Sequence, residues 1–295
     1  MQIHGREFLP STALGIGAFH ALAACAVWQL VFARTHFTKT AWLIVIALYI
    51  VRILGITVAY HRLLAHGSYT PKPWFAKIML ACAAVSLQGL GTWWKRVHKQ
   101  HHAFADVLGD PHRPTEFEGL KGFMWSHVGW ILFTVKSPSG YVEPETPEDI
   151  SALLNWQKRW YFLFALAGIL LPLLAGWNGF LLGSLGLVLS WHITWSVNSV
   201  GHVFGDHAKD QHGKLLESRR ARNFPLWCLF NILALLSGGE LWHANHHAFP
   251  GSARLGWGNW QFDPGWRTIW VANKMGWVKN IKRPDRIAKS PSLLS

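Results

Sequence analysis

The class of fold is decided by one stretch of sequence, Ala41-Trp-Leu-Ile-Val-Ile-Ala-Leu-Tyr-Ile-Val-Arg-Ile-Leu-Gly-Ile-Thr-Val-Ala-Tyr60-His61-Arg-Leu-Leu-Ala-His66. Its first part, about 41–60, is almost wholly apolar and is as long as the roughly 20 residues that a helix needs to cross a bilayer. Two histidines follow this apolar part directly. The stretch therefore predicts a membrane-spanning helix that ends in a polar site at one membrane surface.

Three further stretches are apolar enough to span a membrane, at about 12–32, 160–176 and 179–197. Only a few Gly, Trp and Asn residues separate the last two, so we predict four spans arranged as two helical hairpins. Two shorter apolar runs, about 76–90 and 224–239, have a length that favours buried or interfacial helices over spans. The sequence predicts an all-α integral membrane protein, with residues 1–295 forming a single domain.

The overall composition agrees with a membrane protein. Of the 295 residues, 51% are apolar and 15% are charged, whereas a soluble domain has about 25% charged residues. This balance excludes disordered, collagen-like and coiled-coil proteins. The three cysteines, Cys25, Cys82 and Cys228, lie far apart, which excludes a disulfide scaffold and a CxxC metal or redox centre.

The positive charges predict the orientation in the membrane. The formal net charge is +13, and most of the 28 Lys and Arg residues lie in segments 61–159 and 198–295. Cationic segments that flank spans stay in the cytoplasm. We therefore predict a cytoplasmic cap built from 61–159 and 198–295, with both termini on the same side. Because the positive charge follows the membrane topology, it does not indicate binding of nucleic acid.

Histidines cluster at the cytoplasmic ends of the predicted spans and in the cap. Nine of the 17 histidines fall into four groups, namely His61 and His66; His98, His101 and His102; His202, which follows Asn198 by one helical turn; and His243, His246 and His247. Positions i, i+3 and i+4 share one face of an α-helix. Each group of three can therefore point at one place.

The first pair is spaced differently. His61 and His66 are five residues apart, which places them about 140° apart around an α-helix. They converge only if the helix end unwinds or if the two side chains hold a site from either side.

Nine imidazoles point to metal chemistry. Neutral imidazole is the commonest metal ligand in proteins, and nine of them suit two ions with four or five nitrogens each. A two-metal site of nitrogen ligands with one open position fits iron better than four-coordinate zinc. The Glu-x-x-His pairs of carboxylate-bridged di-iron bundles are absent from the sequence. We expect ordinary structural roles for the other histidines (His4, His20, His36, His112, His127, His192, His207 and His212), with His127 and His192 as candidates for orienting ligands from behind.

The motifs around these histidines resemble those of the membrane fatty-acyl desaturases of the stearoyl-CoA (Δ9) type, a di-iron family with three histidine boxes. The similarity covers about residues 41–266. It rests on Gly55-Ile-Thr-Val-Ala-Tyr-His61-Arg-Leu-Leu-Ala-His66-Gly-Ser-Tyr69, Asp110-Pro-His112, Ser126-His127-Val-Gly-Trp130, Trp195-Ser-Val-Asn198-Ser-Val-Gly-His202-Val-Phe-Gly205 and Gly239-Glu-Leu-Trp-His243-Ala-Asn-His246-His247-Ala-Phe-Pro250.

The resemblance implies an O2-dependent desaturase with two irons, which introduces a cis double bond, at Δ9 by analogy, into a saturated acyl chain. It implies that the nine grouped histidines bind the metals and that Asn198 acts through a bound water. Trp195 would line the acyl tunnel, and Arg96 would contact the headgroup of the substrate. The basic pair that the family carries after its Gly-Trp motif is here reduced to Lys136, so the carrier of the acyl chain is coenzyme A or a lipid.

Electrons must come from another protein. The sequence contains neither a His-Pro-Gly-Gly haem motif nor a CxxC motif, so it resembles bacterial-type enzymes without a fused cytochrome b5. We expect an external ferredoxin-like or cytochrome b5-like donor with its reductase, and an active site on the cytoplasmic face of the inner or plasma membrane.

Three alternatives use the same histidines differently. A di-iron hydroxylase or ketolase acting on a lipid or hydrocarbon shares the first hydrogen abstraction and differs in its product. A metal transporter would place its ligands near the middle of the bilayer, and a bis-histidine cytochrome would place single histidines deep within spans. The position of the nine histidines at span ends and in polar segments disfavours these last two.

Overall fold

The computed structural model describes residues 2–3, 5–209 and 215–284, and this part of the chain is largely helical. Its helices are α1 Pro10–Val31, α2 Lys39–Leu54, α3 Pro73–Val85, α4 Gly91–Phe104, α5 Gly119–His127, α6 Glu148–Leu170, α7 Gly176–Val203, α8 Phe224–Leu236, α9 His243–Ala248 and α10 Pro264–Lys274. Helix α2 continues into a π-helix, Gly55–Ala65, and short 3-10 turns occur at Pro114–Glu116, Gly129–Leu132 and Leu171–Ala175. Two of the other histidines, His4 and His212, and the tail from residue 285 lie outside the described residues.

Short antiparallel strand pairs join the helical parts. Their members are β1 Gln2–Ile3 with β2 Arg6–Glu7, β3 Thr70–Pro71 with β6 Val278–Lys279, and β4 Asp206–Lys209 with β5 Leu215–Arg220. In the second pair Thr70 lies opposite Lys279. This pairing attaches the segment after α10 beside the turn that follows His66.

Three helical stretches are long and apolar enough to cross a membrane, Pro10–Val31, Lys39–Ala65 and Glu148–Val203. They confirm a mostly helical chain of the membrane class. The third stretch contains 56 residues and includes both of the last two predicted spans. It is interrupted by the turn Leu171–Ala175 and by Gly176, whose φ of +75° is an angle that favours glycine.

The two shorter apolar runs form helices of 13 residues each, α3 and α8. This length confirms that neither is long enough to span. Helix α3 packs one face against the π-helix and α6, where Phe75 and Leu80 are buried, and leaves Ile78 on its other face half exposed. Helix α8 leaves Phe224, Ile232 and Leu235 more than half exposed, as expected of a helix that lies at an interface.

Local sequence signals set several helix starts. The side chains of Thr38, Asn223 and Asp263 accept hydrogen bonds from backbone N–H groups in the first turns of α2, α8 and α10. Such caps satisfy amides that otherwise have no partner within the helix. The Asp263 carboxylate also connects α10 to the π-helix, because it accepts a hydrogen bond from Arg62 at 2.8 Å.

Close helix crossings bring the membrane helices together. At Gly55 an added Cβ atom would lie 2.2 Å from the backbone nitrogen of Ala83, so only glycine allows this approach. Nearby, the side chain of Arg52 is almost fully buried and donates to the carbonyl oxygens of Val85 and Gly168. These contacts join α2, α3 and α6, and both α1 and α2 pack on α7.

Candidate metal centre

The nine histidines singled out from the sequence lie together as two adjacent groups. The first histidine group contains His61, His66, His98, His102 and His246, and the second contains His101, His202, His243 and His247. Within each group the ligand nitrogens lie within 4.8 Å of one another. The numbers, five and four, agree with the prediction of two ions with four or five nitrogens each.

The π-helix explains how His61 and His66 share a group. In a π-helix the backbone hydrogen bonds join residues five apart, and the N–H of His66 donates to the carbonyl oxygen of His61 at 3.2 Å. The two rings consequently contact each other edge to face, with centroids 4.9 Å apart. The spacing left two arrangements open, and the structure has the first: the helix end unwinds into a wider π-helix, and the two side chains do not hold the site from opposite sides.

Helices α4 and α9 divide their histidines between the two groups. On α4, His98 and His102 face the first group, whereas His101 faces the second. On α9, His246 joins the first group, and His243 and His247 join the second. The expectation that each set of three points at one place is therefore wrong in detail. The reason is that two sites only a few ångströms apart can both be reached from one helix face.

Three carboxylates contact the outer nitrogens of three of the nine histidines. The Nδ1 atom of His61 lies 2.5 Å from Oε2 of Glu240, that of His101 lies 3.0 Å from Oδ2 of Asp110, and that of His202 lies 2.9 Å from Oδ2 of Asp106. An ionised carboxylate accepts a hydrogen bond from the protonated Nδ1, so in the neutral imidazole each Nε2 is left with a bare lone pair. This arrangement is typical of histidines that bind a metal.

The inner nitrogens fit cations. Nε2 of His246 lies 3.0 Å from that of His61 and 2.8 Å from that of His102, and Nε2 of His66 lies 2.8 Å from that of His98. In the second group the buried Nε2 of His202 has no hydrogen-bond partner among the described residues. Converging lone pairs repel one another unless a positive ion lies between them, so the donor set fits a metal in each group.

The electrostatics keep these histidines in the form that binds metal. Burial lowers the pKa of six of these histidines well below the usual value, namely His66, His98, His102, His243, His246 and His247. Burial alone would raise the pKa values of the Asp110 and Glu240 carboxyls, but the neighbouring His101 and His61 outweigh it and hold both pKa values below the usual range. These six imidazoles are therefore neutral and the two carboxylates are ionised. His101 is the exception, because Asp110 outweighs burial and raises its pKa.

A cavity of about 770 Å³ leads to both groups. Its walls are mostly apolar and include Ile16, Phe19, Trp93, Trp191 and Trp195. It is also lined by His61 and His98 of the first histidine group and by His243 of the second. An elongated apolar ligand would thus extend along the aromatic wall with one part of it beside the histidines.

The other predicted site residues are distributed as follows. Asn198, Trp195 and Arg96 all line the cavity. Lys136 is not among the lining residues, and its backbone carbonyl accepts a hydrogen bond from the side chain of Gln100. Lys95, which precedes Arg96 in the sequence, is buried and forms an ion pair with Glu143 at 2.7 Å.

Sequence reasoning missed the carboxylates and one histidine. Asp106, Asp110 and Glu240 received no role, although Asp110 and Glu240 occur inside the quoted motifs. His112 was expected to be structural, yet its buried ring lies 4.3 Å from that of His101 and lines the cavity. An acidic residue that follows a histidine box by a few positions is the signal that could have identified Asp106 and Asp110.

Within the described part of the chain, His127 and His192 do not contact the nine grouped histidines. His127 instead bonds Ser199 through Nδ1 and His192 through Nε2, both at 2.9 Å. The suggestion that they orient ligands directly is therefore corrected. They belong to a separate row of hydrogen bonds that joins α5 to α7 and α1.

Comparison with known proteins agrees with this site. Residues 38–259 match the family model described as fatty acid desaturase. The chain is 34% identical over 237 residues to the sn-1 stearoyl-lipid 9-desaturase of Anabaena variabilis, covering 79% of this chain and 80% of that protein. It is 32% identical over 272 residues to the sn-2 palmitoyl-lipid 9-desaturase of Nostoc sp. (strain 36), covering 90% and 87%. It is also 32% identical over 277 residues to the chloroplastic palmitoyl-monogalactosyldiacylglycerol delta-7 desaturase of Arabidopsis thaliana, covering 92% and 68%.

A helical membrane chain with two histidine groups beside an apolar cavity is the architecture of a metal-dependent lipid-modifying oxidoreductase. The chain belongs to the fatty acid desaturase family. The resemblance found in the histidine motifs is confirmed.

Proposed function

We propose that the protein is an O2-dependent acyl-lipid desaturase that introduces a cis double bond at Δ9 into a saturated acyl chain. The overall reaction consumes the saturated chain, O2, two electrons and two protons, and it yields the monounsaturated chain and two waters. The observation that carries this proposal is the apolar cavity that reaches His61, His98 and His243. An acyl chain lying in it would have one part of its length beside both histidine groups.

The substrate carrier follows from the relatives. The first relatives named above act, by their names, on stearoyl or palmitoyl chains carried by lipids. The loss of the basic pair at Lys136 also removes a contact that a coenzyme A headgroup would use. We therefore favour a lipid carrier over coenzyme A, with Arg96 at the cavity wall available to a polar headgroup. The names give no support to a hydroxylase or ketolase.

The two histidine groups would each hold one iron ion, with Asn198 joining the second group through a water. When bound, the iron pair supplies the oxidising power toward an unactivated methylene that side chains lack. The protein contributes the rest. Glu240, Asp110 and Asp106 hold the imidazoles in the tautomer that binds metal, and the aromatic wall excludes water and aligns the chain.

Four spans in two hairpins are supported by the surroundings of Arg52. Its Nη2 atom donates to the carbonyl of Gly168 on α6 at 3.1 Å. Its Nη1 atom lies 3.9 Å from the position of a Cβ atom added to Gly186 on α7. In one straight helix these glycines would be about 27 Å apart, so the chain folds back at Gly176. Residues 1–295 would then form one domain, with the histidine groups on the cytoplasmic side among the Lys- and Arg-rich segments.

The test is to express the chain in a host rich in saturated fatty acids and to measure fatty-acid methyl esters by gas chromatography and mass spectrometry. Dimethyl disulfide adducts locate the double bond, and separation of lipid classes after a short acetate pulse identifies the carrier. His101→Ala removes one ligand of the second histidine group, and His36→Ala, a change in the loop before α2, is the matched control.

We expect new Δ9 monoenes on membrane lipids, unchanged by His36→Ala and absent in His101→Ala. Purified protein should contain about two irons per chain, the number of histidine groups. Hydroxylated acids in place of monoenes would contradict the proposal, as would zinc or no metal in active protein. A ferredoxin-like or cytochrome b5-like donor with its reductase is the electron source we propose, and activity should depend on adding it to purified protein.

A further inference from the structure

Three histidines outside the two metal groups form a continuous hydrogen-bonded row. Nδ1 of His20 lies 2.7 Å from the carbonyl oxygen of Ile16, and its Nε2 lies 3.0 Å from Nε2 of His192. Nδ1 of His192 then lies 2.9 Å from Nε2 of His127, and Nδ1 of His127 lies 2.9 Å from Oγ of Ser199. This histidine row connects α1, α7 and α5.

For neutral imidazoles, the acceptor at the end of the row sets the direction of every hydrogen bond in it. A carbonyl oxygen can only accept, so His20 donates from Nδ1 to Ile16 and must accept at Nε2. His192 therefore donates from Nε2 to His20 and accepts at Nδ1. His127 in turn donates to His192 and accepts from the Ser199 hydroxyl. With neutral imidazoles the row thus runs in one direction, from Ser199 to Ile16.

The row lies directly behind the wall of the cavity. Ile16, whose carbonyl ends the row, lines the cavity together with Thr12 and Phe19 from α1. Trp195, which lines the cavity from α7, packs its indole edge-on against His127 and His192, with centroid distances of 6.0 and 5.3 Å. One row of hydrogen bonds therefore contacts two parts of the wall against which an acyl chain would lie.

Helix α1 needs such a tether. Its buried residues are Ala23 and Ala26, and its contacts with α7 involve mainly apolar side chains. In a bilayer, apolar contacts between helices have no hydrophobic driving force over contacts with lipid, so they define the register of two helices poorly. Ionisable residues within a span are rare and mark functional positions. His20 and His192 lie within candidate spans.

We propose that the histidine row is a positioning network, in which His20, His192 and His127 lock the register of α1 and the orientation of Trp195 and so select which carbon–carbon bond of the acyl chain reaches the metal groups. The inference rests on the proposed desaturase function. A slip of α1 along α7 would shift one part of the cavity wall relative to the histidine groups without removing any metal ligand. The expected consequence is a change in product position with the metal content retained.

The test compares two substitutions at one position. His20→Leu removes both bonds of His20, whereas His20→Gln keeps an amide N–H for the carbonyl of Ile16 and an amide oxygen for the N–H of His192. His192→Phe interrupts the row from α7 while keeping an aromatic ring beside Trp195. Each variant of the full chain is expressed in the saturated-rich host, and double-bond positions, total monoene and iron per purified chain are measured.

Since a displacement of about 1 Å can change a rate by about a hundredfold, we expect the ratio of the main positional isomer to its neighbours to fall roughly tenfold in His20→Leu and His192→Phe. The iron content should stay unchanged, and His20→Gln should restore the wild-type ratio. An unchanged isomer ratio in both disrupting variants, whether total activity falls or not, would overturn the inference. Absence of any monoene from the unaltered protein would instead reject the proposed function, and the inference with it.

Discussion

The carboxylate of Glu240 offers the sharpest test of how the metal site is built. Its two oxygens have separate partners: Oε2 lies 2.5 Å from Nδ1 of His61, whereas Oε1 accepts from Thr57 and, at 3.4 Å, from Arg62. In Glu240→Gln the single amide oxygen will turn toward the two donors. The amide N–H2 then faces His61, so Nδ1 must accept and the proton moves to Nε2. A proton there occupies the position of the lone pair that would bind metal.

The size of the effect follows from this tautomer change. Loss of a partner behind a metal-binding histidine typically lowers metal affinity or activity by about 10- to 100-fold, which corresponds to about 1.4–2.7 kcal/mol. His61 is one of five nitrogens in the first histidine group, so the other four keep that group from losing its metal completely. We expect the first group to bind iron about 10- to 100-fold more weakly and the second group to be unchanged.

The assay is iron binding to metal-free purified protein, followed by competition with a chelator of known affinity. In Glu240→Gln one site should bind iron about 10- to 100-fold more weakly than in the unaltered protein, and the other should bind as before. Glu116→Gln, the same chemical change at a carboxylate outside the site that pairs with Arg113 at 2.9 Å, is the control and should leave both affinities unchanged. Affinities in Glu240→Gln within about twofold of the unaltered protein would refute the tautomer argument.

Three further predictions concern the cavity, the membrane core and pH. Trp195→Ala removes a large part of the cavity wall, so chains longer than the normal substrate should appear among the monoenes in a mixed-chain feeding assay; an unchanged chain-length profile would contradict this. Arg52→Met leaves the buried carbonyls of Val85 and Gly168 without a donor and should cost about 2–4 kcal/mol, seen as a lower Tm in detergent; an equal or higher Tm would count against it. For the metal-free protein, the six grouped histidines with lowered pKa values take up protons more readily when unfolded, where the pKa is about 6.5. The free energy of unfolding should therefore be constant above about pH 6.5 and decrease as the pH falls below it. His101, whose pKa is raised, acts the other way. Denaturation curves in which the free energy of unfolding increases as the pH falls from about 8 to 5 would disprove this.

The sequence by itself determined the class of protein and its nine candidate ligands. The apolar lengths at about 12–32 and 41–60 predict spans because bilayer thickness and helical rise are fixed quantities. The spacing of His98, His101 and His102 places them on one helix face for the same local reason. A motif that depends only on helix geometry can be predicted from the sequence alone, because residues close together along the chain define it completely.

The tertiary structure decided how these residues combine. The continuation of α2 as a π-helix brings His66 next to His61. No residue type in Gly55–Ala65 predicts this π-helix. Glu240 lies behind His61 although the chain separates them widely, and His20 meets His192 across 172 positions. Partners this distant in sequence are set by the order in which helices pack, which local spacing does not encode. The division of His101 from His98 and His102 has the same origin, because α9 and α7 must first be placed opposite α4 before one helix face can serve two sites.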